Sequence, residues 1–235
     1  MRRSTDDLYL HEELLLLALK DAKGTIESRA SMYAYALGGA ILAEFLLVER
    51  VTVSDDKKKL VNFVSGPMLR EPLLDECLGL IEAAKRRRRA ADWVSRFARI
   101  KNLRHRVAQG LCRKRILQAS EDKVLWLFTR KIYPERDPIP EQRIVEHLGQ
   151  AIFGDATEVD ARTAILLALA HGTGMLPVHF DKKRLKVRKA RIGQIVDGQL
   201  LGAATREAVQ AAQAAAIATC SAACTAAIAT TVVTS

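Results

Sequence analysis

The sequence predicts a mainly α-helical fold, a single helical domain with a helix-bundle core and two short β-hairpins. A chain of 235 residues with 49% hydrophobic content is long enough to bury a sizeable core. Apolar residues recur mostly at helical spacing, and strict alternation with polar residues is confined to short segments. No internal repeat or strong interdomain linker divides the sequence. One domain over residues 1–235 is therefore the simplest organisation.

Two helices are predicted at the start of the chain. Leucines recur at helical spacing from Leu10 onward and predict a helix over about 8–20. A second long apolar segment predicts a helix over 31–48. Its interior contains Gly38 and Gly39, and each glycine costs about 1 kcal/mol relative to alanine in a helix. The pair therefore favours close helix packing or the approach of a ligand.

Two hairpins are predicted where alternating segments flank a polar turn. The first has arms over 49–53 and 60–64. The second has arms over 115–118 and 123–130. Its second arm is continuously apolar from Val124 to Phe128, which is unusual for an exposed hairpin. Core packing or subunit contact is one interpretation of this arm, and insertion into the interfacial layer of a membrane is the other.

Six further helices are predicted from apolar periodicity. They lie near 73–85, 91–111, 140–153, 159–171, 184–196 and 205–219.

The stretch from Ala208 to Ser235 has no charged residue and is long enough to span a bilayer. Its alanines and threonines are too weakly apolar for confident insertion, so an Ala-rich helix with a frayed end is favoured over a tail anchor. Acidic Asp6 and Asp7 argue against a signal peptide.

Positive charge is concentrated in two segments. The net charge is +10. The first basic segment, Lys85 to Arg115, has 13 Lys or Arg and one acidic residue. The second basic segment, Asp181 to Arg191, has seven Lys or Arg and one Asp. Such segregation indicates an electrostatic footprint for phosphates, on nucleic acid or on lipid headgroups.

One arginine of the first basic segment has an unusual predicted position. When residues 93–111 are projected as one helix, Arg104 lies within the apolar stripe and Lys101 lies on its flank. A buried guanidinium needs a partner, because burying it unpaired costs several kcal/mol. The partner is either an internal acid such as Glu44 or an anionic ligand. The run Arg86 to Arg89 would point in every direction around a helix, so we expect a long-range attractor rather than a shaped site.

Signals for catalysis and metal binding are poor. The sequence has no phosphate-binding glycine loop, and its five histidines show no paired metal spacing. Cys220 and Cys224 lie one helical turn apart, but no second pair accompanies them. We expect reduced thiols and neither a catalytic site, a metal nor a cofactor.

Three segments together resemble the Golgi phosphoprotein 3 family. They are the opening Leu8 to Asp21, the segment Leu37 to Phe45, and Asn102 to Val107 with the hairpin that follows. The resemblance extends from Leu8 to about Ala212 and leaves 213–235 as an Ala/Thr-rich tail. The composition fits a bacterial-type homologue.

The resemblance implies a mostly helical domain that binds phosphatidylinositol 4-phosphate on the cytosolic face of a membrane. Eukaryotic members also act as adaptors that retain glycosyltransferases in the Golgi. The family's hairpin contributes to membrane contact and self-association, and it corresponds to about Ser120 to Lys131 here. We therefore expect a cytoplasmic, peripherally associated protein with a phosphoinositide-like lipid, a protein cargo and a second copy of itself as partners.

The family's headgroup site uses a Trp and three Arg. Arg104 matches one Arg, and Lys101 replaces another, keeping the charge but losing the planar fork. Gly38 occupies the place of the third Arg. Arg29 occupies that of the Trp, where it could return a positive charge.

The first hypothesis is thus a peripheral membrane protein. Lys101, Arg104 and Arg29 bind a lipid phosphate, and Val124, Leu125 and Trp126 of the hairpin insert into the interface. The alternative is a nucleic-acid-binding protein with a basic helix and a winged-helix-like hairpin. It is less favoured because Asn and Gln are scarce among the candidate base contacts.

Overall fold

The computed structural model describes residues 8–20, 25–26, 30–54, 56–124 and 128–201. Within these ranges the helices are α1 Leu10–Leu16, α2 Ala30–Leu47, α3 Pro72–Glu82, α4 Ala90–Ala98, α5 Leu103–Arg113, α6 Ile139–Phe153, α7 Ala161–Gly172, α8 Leu176–His179, α9 Lys182–Val187 and α10 Lys189–Val196. The strands form antiparallel pairs, β1 Leu19–Lys20 with β2 Thr25–Ile26, β3 Val51–Val53 with β4 Val61–Phe63, and β5 Ser120–Val124 with β6 Phe128–Ile132. The mainly α-helical class is confirmed.

Helix α2 lies at the centre of the molecule. It is apolar around most of its circumference, which is typical of a helix enclosed by others, and α1, α4, α5 and α7 pack against it. Gly38 allows the closest of these contacts. A Cβ at this position would lie 2.6 Å from the Val94 carbonyl oxygen and 3.1 Å from the Ala98 nitrogen. The expectation of close helix packing is therefore confirmed.

The helix predicted over 91–111 is two helices. α4 ends at Ala98 and α5 begins at Leu103, and Asn102 between them has a left-handed φ of 57°. The projection of residues 93–111 as one helix is therefore wrong beyond Ala98, because the turn changes the direction and the phase of the helix. Arg104 lies in the first turn of α5 and not on a continuation of the apolar stripe of α4.

The second hairpin has different arms from those predicted. β5 pairs with β6 so that Ser120 lies opposite Ile132 and Val124 lies opposite Phe128. The polar residues predicted to form its turn are strand residues, and Glu121 lies opposite Lys131, a favourable pairing of opposite charges. Both predicted arms are wrong, since 115–118 belongs to neither strand and 123–130 includes the end of β5 and the start of β6. The hairpin implied by the resemblance agrees with β5 and β6.

A buried polar cluster joins four helices. Glu44 of α2 is fully buried, and its Oε2 accepts hydrogen bonds from the Leu10 amide (2.8 Å) and from Arg162 Nη1 of α7 (3.0 Å). Glu12 of α1 is also buried, and its Oε2 lies 2.6 Å from Lys114 Nζ at the end of α5. These bonds fix α1 against α2, α5 and α7 at the centre of the fold.

The predicted helix over 205–219 and the uncharged stretch from Ala208 to Ser235 lie outside the described residues, as do Cys220 and Cys224. Among the helices within the described ranges, none has both the length and the apolar character that a bilayer crossing requires.

Candidate anion-binding site

Arg104 lies in the first turn of α5, half-buried between α2 and the base of the second hairpin. Its charge reaches Tyr33 of α2, whose hydroxyl donates to the Leu14 carbonyl oxygen at 2.6 Å. Burial raises the pKa of the Tyr33 hydroxyl, and the nearby Arg104 guanidinium opposes that rise. Arg104 therefore projects positive charge into the junction between α2 and α5.

The histidine next to Arg104 reports the local electrostatic potential. His105 Nδ1 lies 3.1 Å from the Tyr133 hydroxyl, just beyond β6. The pKa of His105 is lowered, first because burial disfavours the imidazolium and then because Arg104 and Lys131 repel it. The start of α5 and the base of the hairpin thus share a positive potential.

The N-terminus of α5 adds to this potential. Asn102 precedes the helix and makes no side-chain capping hydrogen bond with the described residues, and the first turn contains no acidic residue. The amides of Arg104 and His105 have no backbone acceptor among the described residues, and together with the positive end of the helix dipole they favour an anion. Lys101 is exposed in the connection between α4 and α5. Lys101, Arg104 and the first-turn amides thus lie at one end of one helix.

The predicted internal partner of Arg104 is wrong. Glu44 bonds to Arg162 and to the Leu10 amide instead. No carboxylate of the described residues forms an ion pair with Arg104. The guanidinium is therefore available to a ligand as far as the described part of the chain is concerned.

The structure locates some of the other predicted site residues. Val124 ends β5 opposite Phe128, while Arg29, Leu125 and Trp126 lie outside the described residues. Gly38, the position that the resemblance equates with a third Arg, faces the backbone of α4, where even a Cβ has no room. The cations that the structure places at the start of α5 are thus Lys101 and Arg104.

Sequence reasoning missed the buried role of Glu12 and the pair formed by His105 and Tyr133. Glu12 caps α1, since its Oε2 accepts from the Tyr9 amide at 2.9 Å, and the residue is only 1% exposed. A sequence signal for this pair exists, since His105 directly follows Arg104 and Tyr133 lies two residues after Lys131.

The run Arg86 to Arg89 is an extended connection from α3 to α4 and not a helix. The Val61 amide of β4 donates to the Arg88 carbonyl oxygen at 2.9 Å, and Leu60 forms a bridge with Arg89. The run lines two cavities of about 330 and 600 Å³. The prediction that it would point in every direction around a helix is therefore wrong.

The second basic segment lies against the end of α6. Arg188 Nη2 donates to the Phe153 carbonyl oxygen at 2.6 Å, and Arg191 Nε donates to that of Ala151 at 2.7 Å. The guanidinium of Arg184 lies 4.3 Å from the centre of the Phe153 ring. These arginines satisfy the carbonyls that a helix leaves open at its C-terminus, so their role is structural.

The fold and the site define a helical domain with a positive surface at the start of α5, beside a hairpin. The model of the Golgi phosphoprotein 3 (GPP34) family matches residues 10–212. The chain therefore belongs to this family, and the resemblance is confirmed.

A curated relative is similar over much of the chain. Vacuolar protein sorting-associated protein 74 of Eremothecium gossypii is 27% identical over 201 residues, which cover 72% of this chain and 60% of the relative. The chain thus spans about 60% of the length of that relative. Neither the family nor the relative favours the nucleic-acid alternative.

Proposed function

We propose that the protein is a non-enzymatic peripheral membrane protein that binds anionic lipid headgroups such as that of phosphatidylinositol 4-phosphate. The observation that supports this most directly is the position of Arg104 in the first turn of α5, where it forms no ion pair with the described carboxylates and lies, like Lys131, close enough to His105 to repel its imidazolium. A phosphate there would meet Lys101, Arg104 and the open amides of the first turn. Positive potential of this kind attracts an anionic leaflet.

The second hairpin would provide the apolar contact. It begins beside the positive site, with Lys131 of β6 near His105. The residues that connect its strands include Leu125 and Trp126, and Trp favours the boundary between headgroups and acyl chains. Arg29 would add a cation from the segment before α2. The same hairpin, Ser120 to Lys131, is the proposed surface for self-association.

The cellular role follows the family. We place the protein on the cytosolic face of a membrane, where it would act as a membrane-trafficking adaptor that binds a protein cargo. The name of the relative refers to vacuolar protein sorting.

Vesicle sedimentation tests the lipid site. Wild-type protein should sediment with phosphatidylcholine vesicles that contain phosphatidylinositol 4-phosphate and stay in the supernatant with phosphatidylcholine alone. Arg104→Ala should weaken this binding about tenfold or more, since a charge-assisted hydrogen bond contributes about 1.5–3 kcal/mol. The matched control is Arg143→Ala, an exposed arginine on α6, which should bind like wild type.

Two outcomes would contradict the proposal. One is equal sedimentation with neutral and anionic vesicles. The other is full binding by Arg104→Ala with its fold intact by circular dichroism. Vesicles with phosphatidylserine at matched surface charge separate headgroup recognition from charge alone, and we expect weaker binding to them.

A further inference from the structure

We infer that the larger basic cavity, between the β3–β4 turn and the run Arg86 to Arg89, is a second phosphate-binding site that takes a phosphomonoester group. It lies at the opposite end of α4 from Arg104. The cavity measures about 600 Å³, and Lys57 and Lys58 of the turn line the side facing the arginines. A phosphate ester could come from a lipid headgroup or from a soluble molecule.

Backbone hydrogen bonds hold both walls of this cavity. In the β3–β4 turn, Asp56 Oδ1 accepts from the amides of Lys58 (2.8 Å) and Lys59 (3.1 Å), which fixes the backbone of the turn. On the other wall, the Arg88 carbonyl oxygen accepts from the Val61 amide. The backbone on both sides of the cavity is therefore held in place, and the exposed lysine and arginine side chains extend from it. A fixed backbone reduces part of the entropy lost on binding.

Two of the lining cations have partners within the described residues. Arg87 donates to Asn62 Oδ1 at 3.0 Å, and Arg89 lies 3.6 Å from Asp92, which also accepts from the Arg89 amide. Asp92 is the carboxylate that lines the cavity among the described residues.

The remaining lining cations form no ion pair with the described part of the chain. They are Lys57, Lys58, Arg86 and Arg88. Four like charges around one cavity repel each other, and a bound anion would relieve that repulsion.

The number of these cations favours a phosphomonoester over a phosphodiester. A monoester carries about 1.5–2 negative charges at neutral pH and presents three terminal oxygens, so donors on opposite walls can bind it together. A diester offers one charge and two such oxygens. The planar guanidinium groups of Arg86 and Arg88 also suit bidentate contacts with phosphate.

The cavity and the Arg104 site are too far apart to share one phosphate. α4 has nine residues and begins beside the cavity at Ala90, whereas Lys101 and Arg104 follow its other end. At about 1.5 Å per residue the helix alone separates the two sites by about 13 Å. Substitutions at one site therefore test it without removing contacts at the other.

Two matched ligand pairs test the inference. Glycerol 3-phosphate is a soluble phosphomonoester, and glycerol provides its phosphate-free control in calorimetric titration. Vesicles that contain phosphatidic acid present the same chemistry on a lipid, and phosphatidylglycerol vesicles of matched surface charge present a phosphodiester.

The variants are Arg86→Ala with Arg88→Ala on one wall and Lys57→Ala with Lys58→Ala on the other. Controls are Lys182→Ala with Lys183→Ala, which removes two exposed cations elsewhere, and Lys101→Ala with Arg104→Ala.

We expect wild type to prefer phosphatidic acid over phosphatidylglycerol, and each cavity variant to lose about tenfold in that affinity. Lys182→Ala with Lys183→Ala should keep both affinities, whereas Lys101→Ala with Arg104→Ala, which weakens vesicle binding at its own site, should keep the ratio of the two affinities. Binding of glycerol 3-phosphate as well as phosphatidic acid indicates a soluble source, and binding of the vesicles alone indicates a lipid.

The inference is overturned if monoester and diester bind equally, or if the Lys182 and Lys183 control loses as much as the cavity variants. It is also overturned if only the Lys101 and Arg104 variant loses the preference, a result that would leave the proposed function standing. Thermal unfolding of each variant checks the fold, and the two walls provide independent variants should one of them fail to fold.

Discussion

Arginines of the two basic segments lie in different surroundings. In the second, Arg188 and Arg191 donate to backbone carbonyls at the end of α6. In the first, Arg86 and Arg88 line a cavity, and Arg104 lies at an open helix N-terminus. The acceptors of Arg188 and Arg191 belong to the fold itself, whereas Arg86, Arg88 and Arg104 form no ion pair with the described residues, so an anion that satisfies them would be a ligand.

This difference teaches that a count of charges does not identify a binding surface. An arginine whose donors are already satisfied gains little from an external phosphate, because binding would first break an existing hydrogen bond. An arginine without an internal acceptor loses only hydration when it binds. Arginines with internal acceptors should therefore affect stability when they are replaced, and arginines without them should affect ligand binding.

The largest effect is expected at Arg162, the cation with the most internal acceptors. Its guanidinium bonds to the buried Glu44 and donates to the Leu8 carbonyl oxygen at 2.6 Å. Arg162→Ala would remove the guanidinium that bonds to the buried Glu44 carboxylate, so we expect a loss of about 3–5 kcal/mol in the free energy of unfolding. Urea unfolding measures it, with the exposed Arg143→Ala as control.

A loss below about 1 kcal/mol for Arg162→Ala would contradict this account, since that is the range of surface ion pairs. It would mean that water or another side chain satisfies Glu44 in the variant.

A smaller loss is expected when the second basic segment loses its contacts with α6. Arg188→Ala with Arg191→Ala removes hydrogen bonds to the carbonyls of Phe153 and Ala151. We expect a decrease of about 1–3 kcal/mol in the free energy of unfolding. Vesicle binding of the folded variant should remain as in wild type. Stability equal to wild type together with weakened vesicle binding would reverse the comparison between the segments.

Much of the fold could be predicted from local patterns. The apolar run of α2 and the polar turn of the first hairpin agree with their structures, since each depends on residues close in sequence. The break at Asn102 could not be predicted, because residues 99–102 contain no Pro or Gly and the helical periodicity continues through them. The strand at Glu121 likewise depends on pairing with Lys131, a contact that local propensity does not include.

The candidate site was predicted less completely than the fold. Two arguments pointed to Arg104, the family motif and a helical projection of residues 93–111. Only the motif remains valid, because the projected segment is two helices. The cavity beside Arg86 to Arg89 was missed because composition does not distinguish a helical run from an extended one. Its conformation depends on the bond between Val61 and Arg88, which joins residues of different elements.

A modest, pH-dependent contribution to folding stability is expected from Arg106, an arginine of the first basic segment that does have an acidic partner. Its hydrogen bond to Glu76 of α3 lowers the pKa of that carboxyl. The resulting stability is present above the ordinary pKa of Glu and is lost as the pH falls through the lowered value. Both side chains are partly exposed, so the contribution stays below about 1 kcal/mol.

Urea unfolding at neutral and acidic pH measures this contribution. The difference in stability between wild type and Arg106→Ala should be largest at neutral pH and should shrink on acidification. A difference that grows as the pH falls would contradict the assignment of the pair.

The smallest expected effect is a change in the pKa of His105 when an anion binds, and it is the effect most specific to the site at the start of α5. Burial and the cations Arg104 and Lys131 hold its pKa below the ordinary value, and its remaining close neighbour is the Tyr133 hydroxyl. Folding stability contributed by the neutral imidazole is present above the ordinary pKa of His and is lost as the pH falls through the lowered value. An anion bound at Arg104 would neutralise part of the repulsion and raise the pKa of His105.

Inositol 1,4-bisphosphate, the soluble headgroup of phosphatidylinositol 4-phosphate, is the probe, and NMR titration of the histidine ring signals is the measurement. By linkage, a ligand that raises the pKa of His105 binds more tightly as the pH falls toward it. Arg104→Ala should raise the pKa of His105 without ligand and remove the response to it, because the same guanidinium causes both. If the headgroup binds while the His105 signals keep their titration curve, the ligand lies elsewhere, and the start of α5 is only a region of positive potential.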